Sequence, residues 1–151
     1  MKTLIVYDSQ FGNTEKIAKA IGGAISGEVK VMRAGEAALA DLNGIDLLII
    51  GSPTQGGRPT KPVLAFLNSL PESSLKNVKT AVFDTRLTTK LVVLFGYAGG
   101  KIASSLKGKN NTPVLPVEGF LVKGSKGPLA DGEEARAIAW GKKVVEAAGL
   151  K

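Results

Sequence analysis

The chain has 151 residues, 44% hydrophobic and 22% charged, a globular composition with length enough for one sizeable core. It contains no cysteine and no histidine. That excludes disulfides, thiol nucleophiles, zinc held by those residues and Ser-His catalysis, and leaves chemistry to carboxylates or a bound cofactor. The 20 Lys and Arg outnumber the 13 Asp and Glu, and the net charge of +7 favours anionic partners without choosing among nucleic acid, acidic proteins, acidic lipids and phosphorylated ligands.

The run "TLIVY", Thr3 to Tyr7, is β-branched and short, and reads as a buried strand. Only Lys2 precedes its apolar core, which is not the pattern of a signal peptide, so the cytoplasm is the expected location. From Asn13 a helical period begins, with Ile17, Ala18, Ile21 and Ile25 on one face and Gly27 after it. Glu28 to Arg33 alternates like a strand, and "AGEAALADLNG" reads as a short helix or a loop. Ile45 to Ile50 is another buried strand, broken by "GSPTQGGRPT". Pro62 to Leu70 has helical spacing, Val78 to Phe83 is a fourth strand, and a helix is expected from about Tyr97 to Leu106. "PVLPVEGFLVKG" holds a fifth strand, and Asp131 is placed to cap a last helix that runs to about Gly149. In that helix Trp140, Val144 and Ala148 share a face, so Trp140 is expected in the core, while Glu133 and Glu134 suit the helix dipole.

This is a β–α alternation repeated five times, which predicts one α/β domain over residues 1–151, a parallel sheet with helices on both faces. No run is long enough to span a membrane. In such a sheet ligands sit outside the C-terminal strand ends, near the switch point. The segments there are residues 8 to 14, 51 to 60 and 84 to 100, the stretches richest in Gly, Ser, Thr and Asn. The segment from Thr85 to Phe95 is longer than a usual strand-to-helix connection.

The first of these segments, "DSQFGNT", runs into a helix N-terminus, where unpaired N–H groups and a partial positive charge suit an anion. Ser9 and Thr14 add hydroxyls, Gly12 permits close backbone approach, and Asn13 and Thr14 equally suit a plain helix cap. The loop lacks G-x-G-x-x-G, and Arg33 stands at the end of the second strand where a dinucleotide fold wants an acid. A P-loop motif is absent, and "IIGSPT" offers no phospho-accepting aspartate at the third strand.

One pattern does fit. Ile5, Val6, Tyr7, Ser9, Gly12, Thr14, Ala18 and Ile21 match, position by position, the signature of the flavodoxin family, and the second loop opens "SPT". The chain resembles that family over its whole length. The resemblance implies a flavodoxin-like three-layer sandwich with strand order 2-1-3-4-5 and FMN as cofactor. Its phosphate would lie in the first loop, at Ser9, Gln10, Phe11, Gly12, Asn13 and Thr14. Its isoalloxazine would lie between Pro53, Thr54, Gln55, Gly56 and Gly57 of the second loop and Asp84, Thr85, Arg86 and Tyr97 of the third. Flavodoxins commonly stack the ring between two aromatics; the second loop here has none, and Tyr97 is the candidate in the third.

The function implied is electron transfer through the flavin to a redox partner protein. An NAD(P)H-dependent quinone or flavin reductase and a flavin-free interaction domain are the alternatives. No catalytic side chain or metal site is expected, and neither a membrane nor nucleic acid is the expected partner. Arg58, Lys61, Arg86, Lys90 and Lys101 fall in or beside the loops around the flavin, with Asp84 the main acid. That basic rim predicts a stabilised anionic reduced flavin and an acidic partner.

Overall fold

The computed structural model describes residues 1–87 and 96–150. Five strands, β1 (Lys2–Tyr7), β2 (Glu28–Arg33), β3 (Leu47–Pro53), β4 (Lys79–Arg86) and β5 (Glu118–Leu121), form one sheet in the order β2-β1-β3-β4-β5, every pair parallel. The order is the expected one. The described helices are α1 (Asn13–Ala24), α2 (Lys61–Ser69), α3 (Ala98–Lys107) and α4 (Glu133–Ala147).

The apolar runs become the inner strands because both of their faces are covered. Leu4, Ile5 and Val6 of β1 and Leu47 to Ile50 of β3 are all buried, the continuous reading of parallel strands under two helical layers. Successive side chains go to opposite faces. Ile5, Tyr7, Ile49 and Phe83 meet Ile17 and Ile21 of α1 and Ala137 and Val144 of α4. On the other face Leu4, Val6, Leu48, Ile50 and Val82 meet Val63, Phe66 and Leu67 of α2 and Ile102 and Leu106 of α3. Trp140 is in the core as expected, 4% exposed, with Phe83 and Phe120 edge-on to it and ring centroids 6.1 Å away. The outer strand β2 is only half covered, which matches its alternating sequence.

Besides β3 and β4, which run past the expected ends at Ile50 and Phe83 to Pro53 and Arg86, two elements differ from the sequence reading. The fivefold β–α repeat is broken between β2 and β3, where the chain makes two 3-10 turns, Ala34–Glu36 and Leu39–Leu42, rather than an α-helix. The eleven residues from Ala34 to Gly44, with glycine at positions 35 and 44, leave too short a stretch for a stable helix. Ala34 and Leu42 are enough to plug the core, and Asp41 closes the second turn by accepting from the Ala38 N–H at 2.8 Å and from Lys30 at 2.7 Å. The other difference is at α4, whose N-cap is Gly132 in the left-handed region (φ 81°) rather than Asp131. Asp131 points into solvent, 3.3 Å from Lys123. Glu133 turns inward, accepts the Leu121 N–H at 2.7 Å and pairs with Arg136 at 2.7 Å. The Arg136 guanidinium holds its carboxyl below the usual glutamate range, and the pair fastens α4 to the end of β5.

In the inner strands β1, β3 and β4 one position has no room for a side chain. At Gly51 of β3, opposite Phe83 in β4, a Cβ would stand 2.0 Å from the Phe83 ring. Gly51→Ala is therefore expected to destabilise the fold by about 1–3 kcal/mol. Phe83→Leu in the same chain should recover part of the loss, a coupling that denaturant melts of the two single variants and the double variant measure.

Candidate functional site

The chain leaves β1 toward β2 and returns to β3 on the other side of β1, so a crevice opens beyond the C-terminal ends of β1 and β3. A cleft of about 400 Å³ lies there. Ser9, Gln10, Phe11, Asn13 and Thr14 line it from the first loop, Pro53, Thr54 and Gln55 from the second, and Thr85 and Arg86 from the end of β4. All ten are among the residues anticipated from the sequence. Leu87, Val122 and Ser125 complete the lining and were missed. Val122 and Ser125 follow β5, and the rule that places ligands at C-terminal strand ends applies to that strand as well.

The first loop is built at the start of α1. Gly12 is the N-cap with φ 92°, a left-handed conformation that favours glycine, and a Cβ there would meet nothing within 4 Å. Its N–H donates to Ser9 Oγ at 3.0 Å, which leaves the Ser9 hydroxyl hydrogen free to donate into the cleft. The next N–H groups, in the first turn of α1, have no intrahelical partner. Phe11 does not enter the core; it is 48% exposed at the cleft.

Side chains tie the loops to one another. Thr14 Oγ1 and Thr85 Oγ1 lie 2.8 Å apart, buried between α1 and β4. Gln55 donates through its amide to Gln10 across the cleft. Thr54 Oγ1 accepts from the Ala98 N–H at 3.1 Å, which links the second loop to the start of α3. Asn13 donates to the Lys126 carbonyl at 3.2 Å.

Behind the first loop lies a charged cluster. Arg33, the residue that argued against a dinucleotide fold, donates to the Ser9 carbonyl at 3.0 Å, with Asp8 at 3.8 Å and Glu15 at 3.7 Å. Its guanidinium carbon stands 5.4 Å from the centroid of the Tyr7 ring. The Tyr7 hydroxyl donates to Glu15 at 2.8 Å. Burial, then the hydrogen bond and charge of Glu15, push the Tyr7 phenol up to about 12, and the same hydrogen bond lowers Glu15.

Four of the anticipated ring residues are not in the lining. Gly56 and Gly57, both at positive φ, form the tip of a turn in which Gln55 and Arg58 exchange backbone hydrogen bonds of 2.9 and 3.0 Å. Asp84 is wholly buried and accepts from Arg86 Nε at 2.7 Å, Arg86 Nη2 at 2.8 Å and the Gly99 N–H at 2.8 Å. The Arg86 guanidinium covers one face of the Tyr97 ring at 3.6 Å from its centroid, so Tyr97 packs under an arginine. Gly119 makes this stack possible, because a Cβ there would stand 2.2 Å from Arg86 Nε. Among the described residues no group of acids is placed to hold a metal ion, and no helix is long and apolar enough to cross a membrane.

A family model described as "Flavodoxin domain" matches residues 4–124. Among solved structures, the chain is similar to a flavodoxin from the domain Archaea, at 24% identity and TM-score 0.78, covering 99% of both chains. Flavodoxin 2 from Bacillus cereus superposes with TM-score 0.80 at 22% identity, over 97% of this chain and 99% of that one. Rubredoxin oxygen:oxidoreductase from Desulfovibrio gigas contains the same fold, at 18% identity and TM-score 0.77, over 98% of this chain and 36% of that one. No curated protein matches in sequence.

The cluster behind the first loop has a signature at high pH. A phenol raised from 10.0 to about 12 in the fold contributes stability that is whole below pH 10 and is lost as pH climbs toward 12. The chain has only two tyrosines. Titration of phenolate absorbance is expected to show a step near pH 12 in the native protein. Tyr7→Phe should remove that step and flatten the alkaline fall in stability; a native step that survives the substitution contradicts the assignment.

Proposed function

The chain belongs to the flavodoxin family, and we propose that it binds FMN in the cleft and works as an electron carrier between proteins. The observation that carries the reading is the first loop. A serine hydroxyl free to donate and the unpaired N–H groups of α1 face one cleft, a donor set that suits a phosphate monoester. The cleft volume is in the range of small-molecule cofactor sites.

The phosphate belongs with Ser9, Gln10, Gly12, Asn13 and Thr14. The residues that would hold the isoalloxazine are Pro53, Thr54 and Gln55 on one side and Thr85 and Arg86 on the other. Phe11 stands at the mouth, where it shields the site from water. Gly56, Gly57, Asp84 and Tyr97 act one layer back, shaping the second turn and fixing Arg86. When bound, FMN supplies the one- and two-electron chemistry, and the chain supplies binding, orientation and access. A second reading, an NAD(P)H-dependent reductase of quinones or flavins, draws on the absence of an aromatic from "SPTQGGRPT", which leaves room beside the ring. Incubating the flavin-loaded protein with NAD(P)H separates the two, since a carrier leaves the nucleotide unoxidised.

Removal of the Ser9 or the Thr14 hydroxyl is expected to weaken FMN by about 1–3 kcal/mol and to leave riboflavin, which lacks the phosphate, nearly unchanged. Thr14→Ala also strands the Thr85 hydroxyl, so Thr14→Ser, which keeps the pair, should bind FMN almost as the native chain does. Fluorescence titration of both flavins measures this. Equal losses for FMN and riboflavin would falsify the assignment of the phosphate to this loop.

A further inference from the structure

The charge around the cleft mouth is one-sided, and the structure identifies which groups make it so. Two cations of the rim expected from the sequence are used internally. Arg86 is paired with buried Asp84, and Lys101 Nζ donates to the Gly57 carbonyl at 2.6 Å. Lys90 lies outside the described residues. Arg58 and Lys61 remain exposed on the second-loop side, Arg58 in the turn paired with cleft-lining Gln55 and Lys61 at the first residue of α2. Across the cleft a third exposed cation, Lys126, follows Ser125 of the lining, with its Nζ 5.9 Å from the centroid of the Phe11 ring.

Among the described residues Arg58, Lys61 and Lys126 form no ion pair. Of the nearby carboxylates, Asp8 and Glu15 are matched by Arg33, Glu118 and Glu133 by Arg136, and Asp131 by Lys123, which leaves exposed Glu134 in the first turn of α4 outside an ion pair among the described residues. Lys61 also sits at the unfavourable end of its helix. Neither α2 nor α3 has an acid in its first turn, where acids normally offset the positive end of the dipole. The parallel fold directs those helix N-termini to the same edge as the lysines, and the potentials add there.

We propose that this face is a docking surface for an acidic redox protein, with Arg58, Lys61 and Lys126 meeting its carboxylates and exposed Phe11 as the apolar contact beside the cleft. The partner's role rests on the flavin reading; the surface itself does not. Three cations around one aperture suit a compact acidic patch, whereas a nucleic acid backbone is followed by a row of cations along a groove. Short contact at the cleft mouth also brings the partner's centre close to the cofactor edge.

The test uses an acidic plant-type ferredoxin as probe, with basic cytochrome c and a single-stranded DNA oligonucleotide as counter-probes. Dissociation constants are measured for the flavin-loaded protein at low and physiological salt. Binding of the ferredoxin is expected to weaken about tenfold or more as salt rises. The triple variant Arg58→Glu, Lys61→Glu, Lys126→Glu should lose the ferredoxin by about tenfold or more and gain cytochrome c. FMN should weaken far less than the ferredoxin does, because none of the three side chains lines the cleft and charges at exposed positions are screened. Ferredoxin binding indifferent to salt and to charge reversal overturns the proposal, as does tighter native binding of cytochrome c or of DNA. The flavin reading fails separately, when native chain takes up no FMN; the ferredoxin constants, measured then on the protein as purified, still decide the surface.

Discussion

All five strands point the same way, and most of what the site can do follows from that. A parallel sheet needs a crossover after each strand, so loops and helix N-termini collect at one edge. That edge receives the partial positive ends of the helices, which acids of the first turn offset at α1 and α4 but not at α2 and α3. The crevice forms where the chain reverses direction about β1, with α1 opening directly from it. An anion at this place is opposed by no buried carboxylate free to repel it, since Asp84 is held by Arg86 and Asp8 faces Arg33.

Rigid strands alone do not make a shaped cleft, because four separate loops meet there. Their relative positions are set by polar pairs between segments far apart in sequence: Thr14 with Thr85, Gln10 with Gln55, Thr54 with Ala98, and Asn13 with Lys126. Each is modest by itself. Together they order the loops before a ligand arrives, which lowers the conformational entropy lost on binding. Arg33 acts in the same sense from below, holding the Ser9 carbonyl so that the Ser9 side chain faces the N-terminus of α1.

The strands were legible because burial on both faces leaves β1 and β3 unbroken in apolar residues, and α1 and α4 because their apolar faces repeat at helical spacing. The first loop was legible because its signature is contiguous and sits between a strand and a helix. The third loop was not, because its pairings are long-range. Asp84 and Arg86 are two apart in sequence, but their arrangement depends on Gly99, whose N–H binds the carboxylate, and on Gly119, whose missing side chain admits the guanidinium. No local pattern announces either glycine. The connection from β2 to β3 stayed open between helix and loop for a related reason: two apolar side chains suffice to cover that corner, and two residues have no period.

Tyr97 brings these threads together. As a sequence feature it was the aromatic best placed to lie against a flavin ring. In the fold its ring supports Arg86, and Arg86 in turn lines the cleft. The guanidinium is gripped on its edge by Asp84 and on its face by Tyr97, which leaves it little freedom to move. The pair with Asp84 is close to neutral, so what the end of β4 offers the cleft is a fixed planar set of N–H donors rather than a strong net charge. A flat donor group is suited to the polar edge of a heteroaromatic ring, where an aromatic side chain would instead cover its face. The unpaired charge of the region is thereby left to the exposed side chains at the mouth, physically separate from the groups that shape the cleft.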